Sequence, residues 1–496
     1  MINTRRFISN ASVSVAQTVI SSLILFVLYR YLIDHLGSEQ LGLWSVVLAS
    51  TSIARLSEMG LTGSVVKFVA RYYALKDNKQ AAEIVQTAAI SIAFIMGFLC
   101  LAAYPLLDNL LVLAIPSASM PQAMSILPWA VFSLWLSSIA GVFQSGLDGC
   151  QRMDIRNILM IFGNIFFLVA AVWAVPSFGL VGLAIGQTLQ VILLMLASWL
   201  VLRRQLKTLP WLPIFWHKEK FKEMFSYAVN FQINSIAIML FDPLTKLLMS
   251  RYGGLSSAAY YEMASQLVLK LRALIIAANQ ALVPAVAELY EISPDKVRDV
   301  YLKAYRLLFF VVIPFYVAIL ITLPAVSMLW IGYSEAQFII YGTVLIVGWG
   351  LNTLNGPAYF INLGTGDLKW NSISHVLTAI LNVLLGLLLG SMYGGIGVAI
   401  SSMAALVVGS GFVIYTLHKR YKISFKTIVP HEHYMLLIVI FGYILISIWI
   451  NSMYLLNQSI VISGVINVSV YLVSIGAVMW VHPYRTLLLQ RFKKRV

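Results

Sequence analysis

The chain has 496 residues, 60% of them apolar and 11% charged, against about 45–50% and about 25% in an ordinary soluble protein. That composition excludes a soluble enzyme, a disordered chain and a nucleic-acid-binding protein as the main reading, and leaves room for on the order of a dozen spans of roughly 20 residues. The excess of 34 Lys+Arg over 19 Asp+Glu, formally +15, is in a membrane protein first a statement about which loops stay in the cytoplasm.

Apolar runs predict fourteen transmembrane helices, spans 1 to 14, near 10–34, 40–58, 84–106, 120–146, 156–176, 179–202, 224–250, 257–283, 304–331, 337–361, 369–391, 395–417, 433–451 and 459–481. Span 1 follows only Arg5 and Arg6 and lacks a small-residue cleavage site, so it reads as retained. Span 2 breaks at Gly60-Leu-Thr-Gly63 before an amphipathic continuation through Lys67 and Arg71. In the basic stretch Arg203 to Lys222, Trp211 and Trp216 beside His217-Lys218 predict an interfacial helix. With the N-terminus inside, cytoplasmic segments hold 28 of the 34 Lys/Arg. Both termini are therefore expected in the cytoplasm. Outside loops are short, about 5–15 residues.

Glycine spacing indicates an internal repeat. Gly179-Leu-Val-Gly182-Leu-Ala184-Ile185 matches Gly394-Gly-Ile-Gly397-Val-Ala399-Ile400 at an offset of 215, which also carries Gly141 and Gly149 onto Gly356 and Gly364. An offset of 217 carries Gly37 onto Gly254. Six spans per repeat, an even number, make the two halves parallel, a plan used by secondary transporters. The expected organisation is an N-terminal half at 1–206 (spans 1–6) and a basic cytoplasmic linker at 207–223. A C-terminal half at 224–420 (spans 7–12) and a region at 421–496 with spans 13 and 14 and a basic tail complete it. The fold class is an all-α polytopic membrane protein, two parallel six-helix lobes around a central cavity plus two helices.

Ionisable residues at mid-membrane cost about 2.5–3.5 kcal/mol each on insertion scales, so they point to a polar cavity or a partner. Span 1 carries Arg30, span 2 Arg55 and Glu58, span 7 Asp242 and Lys246, and span 8 Lys270 and Arg272. The repeat pairs Arg55 with Arg272 and Arg30 with Lys246, so four cations are expected around one cavity suited to a phosphate or pyrophosphate. The alternative is local neutralisation: Arg55 by Glu58, Lys246 by Asp242, Arg30 by Asp34. It leaves Arg272 and Lys270 without an acid within four residues. Ser265 and Asn279 share the Arg272 stripe, while Lys270, about 200° away, shares another with Gln266 and Glu262. Asn230 and Asn234 on span 7, with Asn352, Asn355 and Asn362 around the Gly356-Pro357 break of span 10, are candidates for a polar wall or for interhelical hydrogen bonds. That break is a possible hinge.

Cys100 and Cys150 match no metal or redox spacing and read as packing residues. No phosphate-cradling Gly-rich loop with Lys-Ser/Thr and no nucleotide-binding segment is present, so no cofactor is expected and any energy comes from an ion gradient, H⁺ or Na⁺. Asp242 and Glu58 are the coupling candidates.

The segments Leu41-Gly-Leu-Trp-Ser, Glu58-Met-Gly60, Val69-Ala-Arg71-Tyr, Gly149-Cys-Gln-Arg152-Met-Asp154, Gly179-Leu-Val-Gly182, Ala259-Tyr-Tyr261-Glu-Met-Ala264 and Gly364-Thr-Gly366-Asp367 carry a resemblance over nearly the whole chain. In their order and spacing the chain resembles the polysaccharide-transporter family of bacterial oligosaccharide flippases. These are Wzx-like O-antigen flippases within the multidrug/oligosaccharidyl-lipid/polysaccharide exporter superfamily. The resemblance implies a non-enzymatic flippase of the bacterial inner membrane that turns undecaprenyl-pyrophosphate-linked oligosaccharide across the bilayer by alternating access. Membrane lipids, a polysaccharide polymerase and a chain-length regulator are the expected partners. Family members keep essential cations on helices 1, 2 and 8, matched here by Arg30, Arg55 and Arg272; Glu58-Met-Gly60 departs from the family's Asp-Leu-Gly-like run. A multidrug exporter of the same superfamily would be expected to have twelve helices and an acidic cavity, and a membrane glycosyltransferase or polymerase would need catalytic residues in long outside loops.

Overall fold

The computed structural model describes the backbone of residues 4–52, 59–280, 282–455 and 460–481, and every regular element among them is helical. The α-helices are α1 Thr4–Ser52, α2 Met59–Ala74, α3 Asn78–Ala114, α4 Met120–Gly149, α5 Met153–Gln205, α6 Lys218–Gly253 and α7 Leu255–Asn279. They continue as α8 Leu282–Ile292, α9 Val297–Trp330, α10 Ala336–Leu354, α11 Gly356–Gly364, α12 Lys369–Arg420, α13 Tyr434–Leu455 and α14 Ile460–Val481.

These fourteen helices are not the fourteen predicted spans, because the chain is cut differently. α1, α5 and α12 have 49, 53 and 52 residues, more than twice what roughly 20 residues need to cross the bilayer. Each contains one residue off helical geometry: Gly37, Gly179 and Gly394. Each long helix thus holds two predicted spans turned at a glycine, the residue that adopts positive φ without steric cost. Among the described residues, eight helical stretches are long and apolar enough to cross a membrane. Counting the three long ones twice makes eleven, and α6, α7 and α14 account for the other predicted spans. The chain is a multi-pass membrane protein.

The repeat is visible in local geometry. Gly37 and Gly254 have φ, ψ of 80°, 168° and 86°, 171°. Gly179 and Gly394 have 54°, −135° and 62°, −144°. A Cβ on Gly182 would meet the Ala174 carbonyl oxygen at 2.5 Å, and one on Gly397 the Leu389 oxygen at 1.9 Å, the same pairing 215 residues on. Without a hydrophobic force between helices in lipid, such close backbone approaches at small residues supply the packing energy.

Two compact units are present, Met1–Ala259 and Tyr260–Val496. Their boundary follows the turn at Gly254 and differs in position from the limits at 206 and 224 drawn from the repeat, since packing and sequence repetition divide a chain by different criteria. In the first unit, Leu61, Val65, Phe68 and Val69 of α2 pack with Ala81, Ile84, Val85 and Ala88 of α3, Leu147 of α4, Leu202 of α5 and Met224 of α6. α6 is fastened there by Lys220 Nζ donating to the Tyr72 hydroxyl at 2.9 Å and by the Arg71–Glu223 pair at 3.6 Å. Cys100 and Cys150 are buried free thiols, and burial between α4 and α5 pushes the Cys150 thiol up to about 12. In the second unit α13 and α14 pack on α9 through Phe310, Ile321, Tyr443 and Tyr471. The Tyr471 hydroxyl donates to the Pro314 carbonyl at 2.6 Å.

Two local expectations meet different outcomes. The Gly356-Pro357 break is real: it separates α10 from α11, which has Pro in its first turn, where the missing N–H has no helical partner to lose. The stretch 206–217, expected as an interfacial helix, is instead a non-helical strap. Pro210 and Pro213 deny it two backbone donors. The continuation expected beyond the span 2 break is α2, bearing Lys67 and Arg71.

Candidate functional site

Arg30 lies on α1, seven residues before its glycine turn, and its Nε donates to Asp34 at 2.8 Å one turn later. The side chains are 37% and 43% exposed, so the pair contributes little to stability. On α6, Lys246 pairs with Asp242 at 2.6 Å, the lysine side chain 10% and the aspartate 42% exposed. A cation this deep needs its partner, because an uncompensated buried charge is costly. Both pairs follow the local i,i+4 neutralisation. Arg55 and Glu58 lie outside the described residues, as do the side chains of Asn230 and Asn234.

The arrangement in the second unit is different. Arg272 of α7 is half-buried. Its Nη2 donates to Asn352 Oδ1 of α10 at 2.7 Å, and its guanidinium lies 4.4 Å from the centroid of the Trp349 ring. Asn352 in turn donates through Nδ2 to the Ser410 hydroxyl of α12 at 2.7 Å, and that hydroxyl donates to the Leu406 carbonyl at 2.7 Å. Trp349 and Asn352 are three residues apart and so share a face of α10. The guanidinium thus lies over one ring and donates to one amide. Arg272 Nε is buried without a hydrogen-bond partner, and among the described residues no carboxylate pairs with Arg272. Neutral groups thus fix the position of the cation, and among the described residues no acid offsets its charge. Such a group attracts an anion that can accept two guanidinium hydrogen bonds.

The remaining candidates divide. Ser265 and Asn279, placed on the Arg272 stripe, are both buried. Asn279 is turned back onto its own helix, donating to the Ile275 carbonyl at 3.1 Å. Asn355 is 7% exposed with its Oδ1 unpartnered. Asn362 donates to Asn371 at 3.0 Å, a contact between α11 and α12. Lys270 is half-exposed, and on its stripe Gln266 donates to Glu262 at 2.9 Å. Trp349 and Ser410 are functional candidates that sequence reasoning did not single out. A Trp three residues before a mid-membrane Asn was the available signal for the first; Ser410, within Gly409-Ser410-Gly411, reads in sequence only as a small packing residue.

Comparison with known proteins bears on the whole chain. The family model for polysaccharide biosynthesis proteins matches residues 7–290. A curated relative from Shigella flexneri, named "Putative O-antigen transporter", is 22% identical over 385 residues, 75% of this chain and 88% of the relative. Among solved structures, the lipid II flippase MurJ in an inward closed conformation aligns with a TM-score of 0.70 at 14% identity, covering 97% of this chain and all of that one. An inward-facing multidrug resistance transporter of the MATE family, in the MOP superfamily, aligns with a TM-score of 0.69 at 17% identity, covering 83% of this chain and 98% of that one. At such identities these structures establish a shared fold.

Proposed function

The chain belongs to the polysaccharide biosynthesis protein family, and from that premise we propose that it flips undecaprenyl-pyrophosphate-linked oligosaccharide across the bacterial inner membrane. The observation that carries this reading is Arg272, a cation on a membrane helix that is held in place by Asn352 and Trp349 and has no acid partner among the described residues. Its charge, left uncompensated by neutral neighbours, suits a pyrophosphate, whose oxygens accept bidentately from a guanidinium. Arg55 adds positive charge along the transport path, Arg30 and Lys246, whose charge is offset by their own aspartates, add hydrogen-bond donors, and Ser265, Asn352 and Asn355 offer contacts to sugar hydroxyls.

Transport by alternating access requires only binding and reorientation, with no covalent step. Asp242 binds the coupling ion in this scheme: it is the more exposed member of its pair with Lys246. Loading an ion on Asp242 loosens its hold on Lys246, so the two states differ in ion affinity. Glu58 is the second coupling candidate. The polymerase and chain-length regulator receive the product on the far side. A multidrug exporter of the same superfamily is disfavoured by charge: on these helices the cations Arg30, Arg55, Lys246, Lys270 and Arg272 outnumber the acids Asp34, Glu58 and Asp242, a balance that suits an anion over an organic cation.

Deleting the gene tests the function in cells. The expected result is accumulation of a lipid-linked oligosaccharide intermediate, identified by mass spectrometry, with loss of the surface polysaccharide. Unchanged intermediate levels and normal surface polysaccharide in the deletion strain contradict the reading.

A further inference from the structure

The strap at 206–217 serves no step of transport described above, yet it is fastened with care. Thr208 Oγ1 donates to the Asn78 carbonyl at 2.8 Å, and Arg203 Nε to the Leu209 carbonyl at 3.2 Å. Trp199 Nε1 donates to the Trp211 carbonyl at 3.0 Å, Trp216 Nε1 to the Ser91 hydroxyl at 3.0 Å, and the His217 backbone N–H to Thr87 Oγ1 at 3.2 Å. The strap is therefore pinned to α3 and α5 at several points. Despite this, several of its apolar side chains are not buried: Trp211, Leu212, Ile214 and Phe215 are each more than half exposed.

Beneath the strap is a cavity of about 380 Å³ between α3, α4 and α5. Phe94, Trp135, Ile139 and Met195 wall it, and Trp211 and Leu212 of the strap roof it. The indole N–H groups of both Trp135 and Trp199 are already spent, on the Ala93 and Trp211 carbonyls. The cavity accordingly offers a guest hydrocarbon contact and little else. Phe94 is 76% exposed, so the mouth opens on the surface that faces lipid.

The strap and the chain on either side of it are rich in cations. Positions 203–223 hold six Lys/Arg, namely Arg203, Arg204, Lys207, Lys218, Lys220 and Lys222, against Glu219 and Glu223, and Glu223 is paired with Arg71. The Arg203 guanidinium lies 3.6 Å from the centroid of the Trp211 ring, which ties a cation directly to the cavity roof. Arg204 and Lys207, the next cations along the chain, are exposed.

We propose that this strap-roofed cavity is a binding site for an anionic phospholipid of the bilayer, one acyl chain entering between α3, α4 and α5 and the phosphate meeting Arg203, Arg204 and Lys207. Apolar cavity, tryptophan roof and cationic rim occur in the order in which acyl chain, interface and headgroup occur in a lipid. The site is confined to the first unit and does not depend on what the protein transports.

Native mass spectrometry of the full-length protein, equilibrated with equal amounts of phosphatidylglycerol and phosphatidylethanolamine of identical acyl chains, tests it. Phosphatidylglycerol is expected to be retained preferentially. The double variant Arg204→Gln/Lys207→Gln is expected to lower that preference by about fivefold for each charge removed. Ala93→Phe, which fills the cavity, is expected to reduce adducts of both lipids. Should that variant fail to fold, the exposed double variant decides alone. Equal retention of the two lipids, or a preference that the double variant leaves unchanged, overturns the proposal. So does retention of added undecaprenyl phosphate at the expense of phosphatidylglycerol, which would assign the cavity to the tail of a transported substrate.

Discussion

Alanine in place of Arg272 is expected to stop delivery of lipid-linked oligosaccharide to the outer leaflet while the protein still inserts and accumulates. The side chain meets its surroundings through one neutral amide and one aromatic face. Removing it leaves Asn352 still bonded to Ser410 at 2.7 Å and strands no acid among the described residues. The fold should therefore survive. What is lost is a charge-assisted hydrogen bond to the substrate, worth about 1.5–3 kcal/mol, or roughly ten- to a hundredfold in affinity. Arg272→Lys keeps the charge but loses the planar fork that stacks on Trp349 and reaches Asn352, so it should restore delivery only in part. Asn352→Leu keeps the guanidinium but frees it, and should fall between wild type and alanine. Surface polysaccharide measured in a complemented deletion strain checks all three. Normal levels with Arg272→Ala contradict a role for this cation in substrate binding.

The second large effect is on stability. Gly397→Ala puts a Cβ at 1.9 Å from the Leu389 carbonyl oxygen and 2.4 Å from its carbon. Both atoms belong to backbone, so no rotamer change can relieve the overlap and the two halves of α12 must separate. An overpacking cost of about 3 kcal/mol is expected, the upper part of the usual range. Gly182→Ala, its repeat mate on α5, meets the Ala174 oxygen at 2.5 Å and should cost less. Gly476→Ala on α14 has nothing within 4 Å of the added carbon and should be neutral or slightly stabilising, since alanine favours helix over glycine. Thermal unfolding of the purified proteins in one detergent gives the ranking. Equal melting temperatures for Gly397→Ala and Gly476→Ala would show that α12 yields at its turn without cost.

Much of the membrane plan was legible because its cause is local. A run of apolar residues is visible one residue at a time, and so is an acid four places from a cation, as with Arg30 and Asp34 or Asp242 and Lys246. The glycine repeat was legible because a positive φ at Gly37, Gly179, Gly254 and Gly394 demands that residue type at each place. The fusion of span pairs into α1, α5 and α12 was not, since one glycine can end a helix or merely turn it, and the packing on either side decides. The strap was misjudged for a related reason: Trp211 and Trp216 suggested an interfacial helix, but Pro210 and Pro213 remove two backbone donors and the bonds of Thr208 and Trp216 to α3 hold the segment in a non-helical course. Arg272 was legible as a cation without an acid. Its fixing by Asn352, 80 positions away, and by Ser410 beyond it depends on tertiary contacts that no local pattern announces.

Transport itself is most directly measured with the purified protein in sealed liposomes that carry a fluorescent lipid-linked oligosaccharide, using an impermeant reagent to read how much label lies on the outer face. Wild-type protein is expected to make the inner pool accessible over time, and Arg272→Ala to leave it protected as in protein-free liposomes. An inner pool that stays protected with wild-type protein, in the presence of either a proton or a sodium gradient, would contradict flippase function for this chain.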